Sequence, residues 1–475
     1  MRIAFLQREW FENIGIMTLA AVLQAAGHKV EVFIGSAEPD LPSAIKRFNP
    51  GLVCFSCTTG EHIWALATAK RLKEELHIFT VFGGYHPTFF PQIINEYGVD
   101  AVCRGEGEWA LRELADKLET GQSVEKIPNL WIKGHGGVIR NELRPLIEDL
   151  DSLPMPLRRI YDKYPHLQNN TTKHFIASRG CPCHCSYCYA NALRLLYRDK
   201  GTFVRFCSPG HIIQEIRLTK EQYPLKTVFL DDDILTYKKP WLHEFLNLYQ
   251  TEIGIPFICN VWAAWLDEDT CRRLAKAGCY RVSMGVETGD ENLRRQVLKK
   301  NITNEQIITA AENLHRYGIR LLTNNMIGLP GETVEQALET IRLNIRIKTE
   351  YPWCSILQPY PGTEIEETAR QAGVLKAHDE QAFSSTFFKD SLLDQKNMPQ
   401  LVRLHKFFLV AVKFPFLLPL IKKLIEYPLN PLYDMIFLLT FAHRYRFANR
   451  LSLKEINSFC FRNIGLYRKS INNKE

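Results

Sequence analysis

Ser178-Arg179-Gly180-Cys181-Pro182-Cys183-His184-Cys185-Ser186-Tyr187-Cys188-Tyr189 places Cys181, Cys185 and Cys188 at Cys-x3-Cys-x2-Cys spacing, with an aromatic residue before the last cysteine. Three closely spaced thiolates on one loop can hold three irons of a 4Fe–4S cluster. The fourth iron is then left without a protein ligand, and an open iron can bind and reductively cleave a small molecule. Zinc is the competing reading, because Cys-x2-Cys pairs often mark zinc. Structural zinc takes four ligands, usually as two separated pairs, and no second pair follows here at finger or ribbon distance. Cys183 and His184 are crowded between the other ligands, and Cys183 occupies a spacer position.

On both sides of this loop, short apolar runs alternate with helical periodicity. From Lys173 the expected strands are Phe175–Ser178, Thr227–Leu230, Pro256–Cys259, Arg281–Val286, Leu321–Ile327 and Cys354–Leu357. Polar or glycine-rich segments close most of them. Asp231-Asp232-Asp233 follows the second, Gly285-Val286-Glu287-Thr288-Gly289 closes the fourth, Gly328-Leu329-Pro330-Gly331-Glu332-Thr333 follows the fifth, and Pro359–Glu364 follows the sixth. Trp262 and Trp265, after the third, either line a substrate pocket or pack on a helix. Chemistry on parallel βα repeats gathers at the carboxyl ends of strands.

The first 120 residues show the same alternation: Ile3–Leu6, Val30–Phe33, Leu52–Ser56, Phe79–Gly84 and Val99–Cys103 read as strands with helices between them. Strands alternating with helices argue a parallel, doubly wound sheet, whose ligands bind at the carboxyl ends. The polar and glycine signals fall there: Ser56-Cys57-Thr58-Thr59, Gly83-Gly84-Tyr85-His86-Pro87-Thr88 and Arg104-Gly105-Glu106-Gly107-Glu108. Glycines at such ends let backbone approach a large flat ligand. Cys54 and Cys57 have opposite parity on one strand and would face opposite ways. With Cys103 they read as buried structural cysteines.

Taken in this order, the motifs resemble the radical S-adenosylmethionine (SAM) enzymes that carry a preceding cobalamin-binding domain. The likeness runs over most of the first 120 residues and from about Lys173 to Glu364. It implies an N-terminal doubly wound, Rossmann-like cobalamin-binding domain, a partial (β/α)6 TIM-type barrel and a mainly helical C-terminal extension. The boundaries it suggests are 1–125, a β-rich linker at 126–165, 166–380 and 381–475. It further implies a 4Fe–4S cluster on Cys181, Cys185 and Cys188. SAM would meet Asp231, Glu287 near the ribose, and the Gly328 and Pro330 backbone near adenine. Cobalamin would lie against Ser56, Thr58, Gly83, Gly84, His86, Gly105 and Glu106. None of the 14 histidines has Asp two positions before it, so the Asp-x-His-x-x-Gly cobalt ligand is missing and base-off cobalamin is expected. His86 either touches the corrin or is a loop histidine without a ligand role.

The resemblance implies a C-methyltransferase working through a 5′-deoxyadenosyl radical at an unactivated carbon. The anaerobic magnesium-protoporphyrin ester cyclases, which transfer no methyl, are similar in the same motifs. An iron–sulfur or zinc protein without SAM chemistry is a third reading, opposed by the ordered strand-end motifs. The methylthiotransferase branch, which carries a second cluster, lacks local similarity around Cys54. A flavodoxin-like first domain without cofactor is the plainer alternative.

Thirteen cysteines without a disulfide framework and no apolar leader at Met1–Glu9 suit a reducing cytosol. The net charge of +7 resides in the tail: Leu401–Glu475 holds 13 Lys or Arg and 4 Asp or Glu, while the body is near neutral. Phe407–Ile421 is very apolar but interrupted by Lys413, Pro415 and Pro419, too short for a span of roughly 20 residues. A second apolar run, Met435–Ala442, is shorter still, and Lys406, Lys422, Lys423, Arg444, Arg446 and Arg450 flank the two. The stretch reads as a helical cap on the barrel, or as an interfacial segment touching the inner face of a membrane. The expected partners are a small, lipophilic substrate and an electron donor such as flavodoxin or ferredoxin, with no nucleic acid.

Overall fold

The computed structural model describes residues 1–134, 136–376, 388 and 391–448, with side chains to residue 442. His135, within the expected β-rich linker, and Arg450 lie outside the described residues, as do the side chains of Arg444 and Arg446. The chain divides into two units. The described part of the first is Met1–Tyr280 and Tyr360–Glu367; the second holds Arg281–Pro359, Thr368–Lys376 and the described residues beyond 386.

The first unit opens with a seven-stranded sheet: β1 (Arg2–Gln7), β2 (Lys29–Ile34), β3 (Leu52–Ser56), β4 (Phe79–Gly83), β5 (Ala101–Cys103), β6 (Leu130–Gly134) and β7 (Gly137–Arg140), in the order β2-β1-β3-β4-β5-β6-β7. The first five strands are parallel; β6 and β7 add an antiparallel edge. Alternation builds two cores from each strand. Ile3, Phe5 and Cys54 bury on one face, while Ala4, Leu6, Val53, Phe55 and Cys57 bury on the other. Cys54 and Cys57 therefore face opposite ways, as their parity requires.

After this sheet come β8 (Thr172–Phe175), β9 (Ser178–Arg179), β10 (Arg205–Phe206), β11 (Thr227–Leu230) and β12 (Phe257–Val261). β8, β11 and β12 run parallel, and β9 pairs with β10 antiparallel. The expected strand at Phe175–Ser178 is corrected here: the ladder ends at Phe175. Asp232 accepts hydrogen bonds from Ala177 N–H at 3.0 Å and from the Ser178 hydroxyl, which draws the chain off the sheet. The strand instead starts earlier and includes Lys173, fully buried with its ammonium 2.8 Å from Glu12.

The second unit holds β13 (Cys279–Glu287) from Arg281 onward, β14 (Arg320–Ile327) and β15 (Tyr351–Ile356). β14 runs parallel to both of the others. The helices Asn304–Arg316 and Val334–Arg346 connect them, each opened by a capping box, Thr303 with Gln306 and Thr333 with Gln336. The apolar tail forms a helical cap. Helix Met398–Lys413 buries Leu401, Leu404, Phe407, Phe408, Ala411 and Val412. The run then breaks at Pro415 before the helices Leu418–Leu424 and Asn430–Ala448. No helix among the described residues is long and apolar enough to cross a membrane.

Candidate active site

In the first unit the carboxyl ends of β3, β4, β5, β8 and β11 border one cavity of about 490 Å³. Ser56, Gly84, Gly105 and Glu106 line it from one side, and Ile176–Gly180, Asp231 and Asp233 from the other. Leu150, Leu153, Pro154 and Pro156, from the stretch expected as a β-rich linker, form part of its wall.

The cysteine loop follows directly. Gly180, at φ 86°, lies where a Cβ would strike the Phe203 carbonyl. The Arg194 guanidinium donates to the backbone carbonyls of Cys181 and Cys183, closing the loop on itself. Cys185 is buried and Cys181 and Cys188 are partly buried. Burial pushes the Cys188 thiol up to about 12, with Asp233, Cys185 and Cys181 adding to it, so the Cys188 sulfur lies within electrostatic reach of the other two. Hydrogen bonding from Cys183 pulls the Cys181 thiol below its usual value. Among the described residues no group of three or more His, Cys, Asp or Glu side chains converges on a single metal ion. A cubane makes a different demand, since each thiolate binds a different iron. A coordinating metal also deprotonates a thiol outright, so a raised thiol does not oppose ligation.

Around the loop is an aromatic layer that sequence reading missed. Tyr189 stacks on Phe89 at 4.6 Å and 14° and on Tyr85 at 5.8 Å and 21°, and meets Tyr360 at 5.7 Å. The sequence cue is that Tyr85 directly follows Gly84 and Tyr189 directly follows Cys188.

The first-domain residues divide. Gly84, at φ 99°, lies where a Cβ would come within 2.8 Å of the Cys57 carbonyl oxygen. Gly105, at φ 73°, accommodates Tyr197, whose hydroxyl accepts from Glu106 N–H at 2.8 Å. The close approach these glycines permit is thus made by neighbouring protein groups. Gly105→Ala is expected to displace Tyr197 and lower the melting temperature, by about 1–3 kcal/mol of stability for strain of this kind, measured by thermal unfolding.

Glu106 is the centre of an ion-pair hub. Its carboxylate takes Arg179 at 3.0 Å, Arg205 at 2.9 Å and the Ile147 N–H at 2.9 Å. Burial pushes this carboxyl up, but the Arg205 hydrogen bond and the Arg179 and Arg205 charges outweigh it and hold it below the ordinary range. Thr58, Gly83 and His86 do not line the cavity. Thr58 bonds Glu61, its hydroxyl 2.6 Å from the carboxylate. His86 is fully buried, stacked on His62 at 3.7 Å and Phe90 at 4.7 Å, with Nδ1 3.2 Å from the Thr59 hydroxyl. Burial, then the His62 ring, pushes it down to about 3. Asp231 faces the cavity and contacts His174 Nδ1 at 2.5 Å.

The remaining expected contacts belong to the second unit. Glu287 adopts φ 65°, a left-handed conformation costly for a residue with a Cβ, beside a register shift in the β13–β14 ladder. Its carboxylate is 2.9 Å from Lys300 Nζ, both side chains being buried. Gly285 leaves room for that pair, since a Cβ there would run into both groups. Gly328 and Leu329 N–H donate to Glu332 at 2.6 and 3.1 Å, and the Leu329 carbonyl accepts from Gln395 at 3.0 Å. This fixes the segment that includes Pro330. Trp262 and Trp265, in the first unit, pack on each other at 5.9 Å, and Trp265 on Tyr237 at 5.2 Å.

Burial pushes Glu332 up to about 8 from 4.5. A raised folded-state value means the stabilisation is complete below 4.5 and is lost as pH rises toward 8. Glu332→Gln, which keeps an acceptor for both N–H groups, is therefore expected to match the native chain at acid pH and to melt higher than it above the raised value. Melting temperatures across this range check it.

The radical SAM superfamily pattern matches residues 175–343, and the B12 binding domain pattern matches residues 9–115. An uncharacterized methyltransferase of Pyrococcus horikoshii is 30% identical over 366 residues, covering 75% of this chain and 78% of that protein. The anaerobic magnesium-protoporphyrin IX monomethyl ester cyclase of Rubrivivax gelatinosus is 26% identical, over 73% of this chain and 64% of the cyclase. Among solved structures, the cobalamin-dependent S-adenosylmethionine radical enzyme OxsB, with aqua-cobalamin and SAM bound, superposes with a TM-score of 0.71 at 15% identity, over 92% of this chain and 72% of OxsB. The chain belongs to the radical SAM superfamily, among the enzymes that carry a B12-binding domain ahead of the radical SAM domain.

Proposed function

We propose that this enzyme is a cobalamin-dependent C-methyltransferase acting at an unactivated carbon of a small, lipophilic substrate. The observation that carries the reading is one cavity bordered both by the B12-domain strand ends and by the segments flanking the three-cysteine loop. Cys181, Cys185 and Cys188 hold the cluster. Asp231 and Glu287 meet SAM, Glu287 preorganised by its backbone conformation and by Lys300. The backbone of Gly328 and Pro330 carries the adenine. Ser56, Gly84, Gly105 and Glu106 form the wall for a base-off corrin. Bound together, these groups supply a 5′-deoxyadenosyl radical and a transferable methyl group.

The chain's own part is to orient reactants and exclude water. Tyr85, Phe89, Tyr189 and Tyr360 wall off the cysteine loop with rings. A flavodoxin- or ferredoxin-type donor supplies electrons. The domain ranges 1–125, 126–165, 166–380 and 381–475 are the divisions along which these tasks are shared. Phe416 and Leu439, 76% and 65% exposed near Lys422 and Lys423 in sequence, support peripheral contact with an anionic membrane from the cytoplasmic side.

The test is product mass with methyl-deuterated SAM. Gain of one CD3 for one hydrogen on carbon is the result expected of a C-methyltransferase. A product that has lost hydrogen without gaining CD3 belongs to a cyclase or another oxidative reaction and overturns the methyl transfer.

A further inference from the structure

The second unit contains a separate cavity of about 200 Å³ that the chemistry above does not use. Arg281, Leu322 and Tyr351 on its lining stand at the amino-terminal starts of β13, β14 and β15. Glu287 and Gly328 stand at or just after the opposite, carboxyl ends of the first two. The cavity therefore lies at the other pole of these strands, under the C-terminal helices.

Its walls are aromatic. Trp353 meets Phe388 at 5.5 Å and Phe441 at 5.3 Å, and Phe388 meets Phe437 at 5.6 Å. The lining's polar residues are Arg281, Tyr351, Thr440 and His405, the last 1% exposed and carried by helix Met398–Lys413. His405 Nε2 lies 3.0 Å from the Cys354 carbonyl oxygen. A carbonyl only accepts, so Nε2 carries the hydrogen. Burial, followed by the neighbouring Lys406 charge, pushes the imidazole down to about 3 and keeps it neutral. Nδ1 is then a bare acceptor, and it is buried with no hydrogen-bond partner.

We propose that this cavity is a second small-molecule site, for a neutral, flat, apolar ligand bearing one hydroxyl or N–H that donates to His405 Nδ1. Charge and size narrow the class. A cation is opposed by the Arg281 guanidinium on the lining, despite the affinity of aromatic cages for cations. An anion offers the bare acceptor no hydrogen. An apolar cavity of about 150 Å³ holds benzene, so 200 Å³ suits two fused rings.

The experiment is isothermal titration of the full-length protein with 2-naphthol and with 2-methylnaphthalene, which matches its shape but lacks the donor. Naphthol is expected to bind about tenfold tighter, the effect of one net hydrogen bond to a buried acceptor. His405→Phe is expected to erase that preference. Thr440→Phe, which fills the cavity from the last helix and leaves His405 in place, is expected to abolish binding of both compounds. The proposal is overturned if naphthol does not bind the folded native chain, if the two compounds bind equally, or if Thr440→Phe, folded by circular dichroism, still binds naphthol as the native chain does.

Discussion

Replacing any one of Cys181, Cys185 or Cys188 with alanine is expected to abolish the iron–sulfur absorbance of the anaerobically reconstituted protein and to reduce 5′-deoxyadenosine formation to background. The effect should be complete, because a cubane held by three thiolates keeps no spare ligand once one is lost. Cys183→Ala provides the contrast. Cys183 sits in a spacer position, and its variant should retain cluster and activity. A zinc knuckle using Cys183 and His184 would show the reverse: loss of metal in Cys183→Ala and no iron in any variant. Iron, sulfide and zinc analysis of the four purified variants, alongside their visible spectra, separates the two.

The second large effect is expected at Glu106. Glu106→Leu removes the carboxylate that faces both Arg179 and Arg205, whose side chains are 26% and 5% exposed. Breaking a buried pair by deleting one partner costs about 3–5 kcal/mol, because a charge is left buried without compensation. Urea unfolding of the apoprotein should show a loss of this order. The pH dependence provides an independent check. The carboxyl is held below 4.5 in the folded protein, so its stabilisation is present above that value and lost as pH falls through the folded-state value. Glu106→Leu should erase this acid-side decline along with the neutral-pH stability. Arg179 also precedes Gly180 and Cys181 directly, so the variant should take up less iron than the native chain under equal reconstitution. Normal stability in Glu106→Leu would mean that the hub is solvated in solution.

What the sequence revealed and what it concealed follow from range. The cysteine motif is legible because its members lie within one loop, so their spacing can be read directly. The strand ends were legible because alternation and glycine punctuation are local. The Arg179–Glu106–Arg205 hub was hidden, since its members are 73 and 99 residues apart. The burial of Lys173 was hidden for the same reason, since its partner Glu12 lies 161 residues away. His86 was legible as a polar residue at a strand end, but its burial between His62 and Phe90 depends on the turn Tyr85–Phe89 folding into a helix. Gly105 reads in the sequence as room for a large flat ligand; in the structure the group against it is Tyr197, 92 residues away in the chain.

The central claim is that the three-cysteine loop and the B12-domain strand ends serve one reaction. The most direct measurement is to reconstitute the protein anaerobically with iron, sulfide and cobalamin, reduce it in the presence of SAM, and quantify 5′-deoxyadenosine and S-adenosylhomocysteine in the same samples. Both products, each dependent on Cys181, Cys185 and Cys188 or on added cobalamin respectively, are the expected result. Clustered protein that fails to bind SAM and forms neither product would contradict the account.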